Sequence, residues 1–464
     1  MVFSSVVFIF YFLPVFFAGY FLMPKMWAKN LLLLVFSLLF YFWGAGNLVL
    51  LLIFIGIITW LFSLLIAKTK FKRGFLVLFI VVLVGILIYC KYLGFIIDNL
   101  IYAGVDGLHK IKGMTSLGVS FFTFQAISYN IDVYRKNKRF EPNPFYIILY
   151  ITMFPQLISG PLVRYSQLEP QLKSRKVDLN LFADGVKRFI LGLGKKVFIA
   201  DQLSYIVNNI VDNADITISP AVAWAAMVVF AIQLFFDFSG YTDMAIGVGK
   251  MMGFNLPENF NFPYISRSVT EFWRRWHMTF AGWIKDYIFT PLAFQMRYWG
   301  KAGIIISLLI TFTICGIWHG PTWNFLIWGL VQGLLLGLEE LFLLKFLKKL
   351  KGFAVLYFLF IIVTCLVLFR TENLHHAVSF LNVMFSPARE GALGLNAFFT
   401  TEHSIILLAG IIFCIPVSWP GIFKTAKLKN IVMAANSVLL IVLFIFSVMR
   451  LVSATYNPFI YFKF

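Results

Sequence analysis

The sequence predicts an all-α polytopic membrane protein with about 11 transmembrane helices plus re-entrant and interfacial pieces. Three observations point there. Of 464 residues, 61% are hydrophobic, 19% aromatic and only 13% charged, a balance that no soluble surface tolerates. Apolar runs near the ~20 residues needed to cross a bilayer recur from end to end. The basic residues collect in short stretches between those runs.

The runs follow in order: Val2 to Met23, Leu31 to Trp43, Leu48 to Ala67, Phe75 to Cys90, Pro144 to Val163, Ile218 to Phe236, Gly303 to Trp318, Phe325 to Phe342, Phe353 to Phe369, Ile405 to Val417 and Ile431 to Met449. Leu117 to Ile131 and Phe182 to Ile199 are more mixed. The first run has no basic start and no small-residue cleavage site, and Lys25 and Lys29 come after it, so it reads as a retained span rather than a signal peptide. Cys90, Cys315, Cys365 and Cys414 all lie in apolar runs without metal-type spacing. They read as small buried hydrophobes, with no zinc site and no disulfide framework.

A formal net charge of +19 would suggest nucleic acid in a soluble protein. Here it fits cytoplasmic loops obeying the positive-inside bias, and no nucleic-acid partner is expected. Lys25 with Lys29, "KTKFKR" from Lys68, "RKNKR" from Arg135, "KFLKKLK" from Lys345 and "KTAKLK" from Lys424 then share the cytoplasmic side. Two spans separate the first two loops, and two more separate the second from the third if Leu117 to Ile131 crosses. Both termini are therefore expected outside. "LKSRK" at Leu172 to Lys176 breaks the count, because only "FYIILYITMFPQLISGPLV" separates it from Arg135. With Pro155 and the Gly160–Pro161 step inside it, that run reads as a re-entrant segment. Such non-helical backbone survives at membrane depth only under a cover of protein or beside a water-filled cavity. No internal repeat or soluble domain is visible, so residues 1–464 form one membrane domain.

Soluble-enzyme motifs are absent: no G-x-S-x-G, Walker loop, H-E-x-x-H or C-x-x-C. Polar residues inside apolar stretches are the remaining signal. "FFDFSGYTDMAIG" holds Asp237 and Asp243, which either cap a helix or pair with Arg274 or Arg275. "EFWRRWHMTFAGWIKDY" holds His277 beside Arg274; it reads either as a functional segment or as an interfacial helix anchored by tryptophan. "GIWHGPTWNF" holds His319 between Trp318 and Trp323, ahead of a Gly320–Pro321 break. The run Gly303 to Trp318 rises only ~24 Å as a helix, which places His319 within the membrane rather than in a loop. A desolvated imidazole there suits a general base better than a merely satisfied core residue. His109, His375, His376 and His403 read as surface histidines.

At these residues a family becomes recognisable. "FDFSGYTDMAIG", "LPENFNFPY", "EFWRRWHMTF" and "GIWHGPTWNF", with "SFFTFQAISYNIDVYR" and "FPQLISGPLVRY" upstream, resemble the membrane-bound O-acyltransferase (MBOAT) family, in its bacterial alginate and cell-wall O-acetyltransferase branch. The likeness runs over nearly the whole chain. It implies a ring of helices around a funnel and tunnel, in which a cytoplasmic acyl donor meets an acceptor from the other face. His319 matches the family's signature histidine, and His277 its second active-site position, where a His, Asn or Asp stands. The resemblance implies acetyl-CoA as donor and no bound cofactor or metal. It also implies an extracytoplasmic polysaccharide as acceptor, membrane lipid around the chain, and a secreted or membrane-tethered esterase-fold O-acetyltransferase as partner. The expected location is the bacterial inner membrane.

His319 is then expected as base and His277 as the group that orients or polarises a substrate. An indole N–H, as of Trp318, or Asn324 is a candidate oxyanion donor. The ending "FIYFKF", Phe459 to Phe464, resembles the tail of the small one-span partner of the teichoic-acid D-alanylation acyltransferase. By that likeness Tyr461 is a candidate acyl carrier and Lys463 its neighbouring cation; the plainer alternative is an aromatic anchor at the interface. The rival enzyme is a D-alanyl transferase fed by a carrier protein. The rival of another class is a transporter, for which paired inverted repeats are expected and not seen.

Overall fold

The computed structural model describes residues 1–110, 118–136, 140–213, 216–387, 390–416 and 426–453. Among them the chain is helical, with a single isolated bridge between Ile218 and Leu393 as its extended pairing. Among the described residues, seven helical stretches are long and apolar enough to cross a membrane: Met26–Ala45, Leu48–Lys68, Lys72–Tyr102, Pro220–Met251, Arg297–His319, Trp323–Arg370 and Ala434–Ser453. Shorter apolar helices cover Phe8–Leu22, Leu374–Phe385 and Thr401–Phe413. The protein is a multi-pass membrane protein. The sequence runs Phe325 to Phe342 and Phe353 to Phe369 fall within the stretch Trp323–Arg370, which turns at Lys351, where φ is 48° and ψ −119°.

The chain divides into two compact units, Met1–Phe189 with Met244–Pro257, and Ile190–Asp243 with Glu258–Phe464. In the first unit the Leu48–Lys68 helix shows how such a sequence folds. Leu50, Phe54, Ile57 and Leu61 stand exposed at helical spacing. Water would not tolerate that stripe, and acyl chains suit it. The opposite face is buried at Leu52, Ile55 and Gly56, and a Cβ on Gly56 would stand 3.2 Å from Ile148. A cluster of phenylalanines, Phe3, Phe8, Phe12, Phe16, Phe40 and Phe154, packs ring on ring in the same unit.

The run Pro144 to Val163 is not one helix. It breaks at Met153 and again after Leu157, leaving Pro144–Thr152 and Phe154–Leu157, neither of spanning length. The irregular stretch beyond is buried, at 0 to 4% exposure for Leu157, Ile158, Leu162 and Val163. Backbone groups freed by the breaks find side-chain partners, as they must away from water. The Ser37 hydroxyl accepts from the Phe154 N–H at 3.1 Å, the Tyr150 hydroxyl donates to the Val163 carbonyl at 2.9 Å, and Gln156 Nε2 donates to the Tyr150 carbonyl at 2.6 Å. Covered irregular backbone is what the re-entrant reading requires.

In the second unit the helices Gly300–His319 and Trp323–Leu338 form a tight hairpin. Gly316 and Gly329 meet at its top. A Cβ on Gly316 would lie 2.2 Å from the Phe325 carbonyl oxygen, and one on Gly329 2.3 Å from that of Phe312, so neither position admits a side chain. Gly333 and Gly337 continue the seam at four-residue spacing against Leu309 and Ile305. Small residues at that spacing let two helices approach backbone to backbone where lipid supplies no hydrophobic drive.

Candidate active site

The seam delivers His319 to its place. The helix Gly300–His319 ends on that residue, Gly320 leaves it in extended geometry, and Thr322 caps the next helix by accepting from the Phe325 N–H. The break expected at Gly320–Pro321 is therefore present. The helix starts three residues earlier than the apolar run and rises ~30 Å over its 20 residues. Its length thus matches the hydrocarbon core and no longer places His319 by itself. Burial does: His319 is 6% exposed. Its ring lies 4.6 Å from Trp318, 5.0 Å edge-on from Trp328 and 5.0 Å from Phe369, with Phe325 at 6.0 Å.

His277 reaches the same neighbourhood from another segment. "WRRWH" is not one interfacial helix. The helix Val269–Trp273 stops, a turn follows, and His277 stands at the N-terminal cap of Met278–Ile284 with φ 44° and ψ 50°. A side-chain residue held in the left-handed region costs on the order of 1–3 kcal/mol and persists only where its surroundings enforce it. Here the enforcement is visible. The Asn259 carbonyl accepts from the Met278 N–H at 2.9 Å, and Asn259 Oδ1 accepts from the Thr279 N–H at 3.2 Å and its hydroxyl at 2.9 Å. The same Oδ1 lies 3.1 Å from His277 Nδ1. Since a backbone N–H can only donate, that atom is the amide oxygen, and His277 Nδ1 must carry the proton that faces it. Nε2 is then the ring's basic nitrogen.

Trp276 and His277 are both buried, the latter 1% exposed, which overturns the anchor reading of this stretch. Phe238 stands edge-on to the His277 ring at 4.7 Å, and Phe280 stacks on it at 4.9 Å. Burial lowers the pKa of this imidazole, outside the spanning helices, to about 3. Phe280 also stacks on Trp318 at 4.1 Å, and Trp318 touches His319. The two histidines therefore share one aromatic wall, Phe280 and Trp318, from separate segments.

The other sequence candidates separate. Asp237 does not cap a helix start. It sits inside Pro220–Met251, and its carboxylate lies 2.9 Å from Lys196 Nζ; Asp243 pairs with Lys195 at 2.7 Å. Arg274 is exposed, and Arg275 is held by Glu271 at 2.9 Å. The amide protons of Asn324 are committed to the Thr371 carbonyl at 2.8 Å and its hydroxyl at 3.2 Å, so Asn324 is a tie between helices and not an oxyanion donor. Tyr461 and Lys463 lie outside the described residues. Two residues with no sequence-level assignment belong to the site: Asn259, one of two amides among the aromatics of "LPENFNFPY", and Trp328, which nothing in its apolar run distinguished. The Trp328 indole N–H is buried beside His319 with no hydrogen-bond partner among the described residues.

The family model of MBOAT, the membrane-bound O-acyltransferase family, matches residues 108–348, which contain both histidines. The "Probable alginate O-acetylase AlgI" of Pseudomonas putida is 34% identical, with 100% of each chain covered. The "Peptidoglycan O-acetyltransferase" of Helicobacter pylori is 35% identical over 73% of this chain and 70% of its own. The "Teichoic acid D-alanyltransferase" of Bacillus subtilis is 32% identical over 47% of this chain and 58% of its own. The chain is an acyltransferase and belongs to the membrane-bound O-acyltransferase family.

Proposed function

We propose that this protein passes an acetyl group from a cytoplasmic donor, acetyl-CoA, across the inner membrane for O-acetylation of an extracytoplasmic polysaccharide, with His319 as general base. The observation that carries the reading is His319 at a helix end inside an aromatic shell, one ring away from the wall that also holds His277. Acyl transfer from a thioester asks for a base near the acceptor hydroxyl and donors for the oxyanion. The imidazole takes the hydroxyl proton as the oxygen attacks the thioester carbonyl, and the tetrahedral oxyanion collapses with loss of the thiolate. That thiolate takes up the proton from the imidazolium. The buried indole N–H of Trp328 is the donor we assign to the oxyanion. His277, held by Asn259 with its basic Nε2 turned away from the amide, orients or polarises one substrate.

Acetyl rather than D-alanyl transfer is favoured because similarity to the alginate O-acetylase covers the whole chain, whereas similarity to the D-alanyltransferase covers about half. In this reading Tyr461 relays the acetyl group as an aryl ester beside Lys463, and an esterase-fold partner completes the transfer to the polymer.

His319→Ala tests the centre of the proposal. Membranes supplied with labelled acetyl-CoA should lose acetyl transfer by ~10²–10⁴-fold, the usual range for a general base. Yield and thermal midpoint in detergent should stay at the parent's values. Parent-like transfer would overturn the assignment. Tyr461→Phe keeps the ring and deletes the hydroxyl, so an anchor survives it and a carrier does not. Transfer to polysaccharide should stop, and mass spectrometry of the parent's C-terminal peptide should show a labile acetyl.

A further inference from the structure

Glu339 is a carboxylate with 0% exposure in the helical stretch Trp323–Arg370. An ionisable side chain so placed is costly unless donors surround it. Its donors all come from the start of one short helix. Oε1 accepts from the Val269 N–H at 2.7 Å, while Oε2 accepts from the Thr270 N–H at 2.8 Å and the Thr270 hydroxyl at 2.7 Å. These are the first two N–H groups of Val269–Trp273; the third, of Glu271, goes to the Ser268 hydroxyl at 3.0 Å. One turn's worth of otherwise orphaned donors is thus met largely by a side chain 70 positions further along the chain from Val269.

We infer that Glu339 is a positioning residue that fixes His277 relative to His319. The inference rests on the catalytic reading of those histidines. Val269–Trp273 runs through Arg274 to Trp276 directly into His277, so where that turn is seated decides where the imidazole stands. Glu339 follows without a break on the helix that carries Trp328 against His319. A second tie joins the same two elements: Trp273 Nε1 donates to Gln332 Oε1 at 3.2 Å. Gln332 and Glu339 are two helical turns apart and therefore share a face. Between them they seat the His277 segment on the helix that walls His319. The choice of a carboxylate follows from its partners: the two backbone N–H groups, one on each oxygen, can only donate. A glutamine would turn an N–H against one of those N–H groups and leave it buried without an acceptor.

The test is a cycle on the purified full-length protein, with kcat and KM for acetyl-CoA measured in Glu339→Gln, His277→Ala and the double variant. A shift of the His277 segment by about 1 Å should lower kcat in Glu339→Gln by ~10–100-fold. KM for acetyl-CoA should stay near the parent's. On the residual rate of His277→Ala, the same substitution should cost less than about twofold, since residues acting through one group are not additive. A purely structural carboxylate would lower yield and thermal midpoint while leaving kcat per folded molecule unchanged, or would repeat its full cost in the double variant; either result overturns the inference. Should Glu339→Gln not fold, Thr270→Val removes one donor to the same oxygen and reads the same cycle with a smaller loss of kcat, and a parent-like kcat there overturns it. A parent-like rate in His277→Ala would instead bring down the catalytic reading of His277 itself.

Discussion

Lys196 and His319 are both buried in the second unit, 4% and 6% exposed. Around Lys196, charge answers charge: Asp237 lies at 2.9 Å and Asp201 at 2.7 Å, and next to them Lys195 meets Asp243 at 2.7 Å. Around His319 the neighbours are rings. A buried ion pair holds its members in one arrangement, because removing either partner strands the other. A titratable ring among aromatics is held by shape rather than by charge. The difference separates a strut from a candidate site, although Asp237 and His319 were flagged by the same signal of polar residues in apolar surroundings.

The largest effect that bears on this distinction is on stability. Lys196→Met should cost about 3–5 kcal/mol, the usual loss when one partner of a buried pair is removed. Here it strands two carboxylates. Yield and thermal midpoint in detergent should fall sharply, while acetyl transfer per folded molecule stays within a fewfold of the parent. Adding Asp237→Leu should recover part of the midpoint. A Lys196→Met protein that is stable but inactive would erase the difference between the two clusters and move Lys196 into the reaction.

A smaller effect is expected at Asn259, which belongs to the histidine side of the comparison. Its Oδ1 fixes the His277 tautomer and, through Thr279, the left-handed cap. Asn259→Ala should lower kcat by about tenfold, in line with the loss of an outer-shell partner of a functional histidine. Asn259→Asp, which keeps the acceptor, should recover most of it. Equal losses in both variants would mean that the amide serves the backbone alone.

Much of the architecture was legible because lipid imposes it: the apolar runs beginning at Leu48, Ile218, Gly303 and Phe325 each became helix. The break after His319 was legible too, since Gly320 and Pro321 announce it. What stayed hidden depends on tertiary pairing. Asp237 and Asp243 gave no hint that adjacent lysines on a π-helical turn, Lys195–Ala200, would answer them rather than Arg274 or Arg275. A carboxylate in "GLEELF" reads as the end of a span, and only the fold shows Glu339 at the head of the His277 segment. The burial of Trp276 and His277 in "WRRWH" escaped for a related reason. An amphipathic pattern predicts an interface, but a five-residue helix followed by a left-handed residue turns Trp276 inward among Phe235, Phe260 and Phe272.

The smallest predicted effect sharpens what sets His277 apart from an ordinary histidine. Burial lowers its folded-state pKa to about 3, against about 6.5 for a free imidazole. The folded protein therefore binds fewer protons at this ring than the unfolded chain does between those values. By linkage, the stability attached to the neutral ring is fully present above pH ~6.5 and is lost progressively as the pH falls toward about 3. From about one pH unit above the free imidazole value neither state binds a proton at this ring, so a Tm measured in detergent should carry no slope from His277 there. Below it, the parent should lose Tm faster than His277→Asn, whose amide takes up no proton. His277→Asn with the same acid slope as the parent would mean that the ring gains a proton in place without penalty, and that the aromatic wall of Phe238, Phe280 and Trp318 does not keep it neutral.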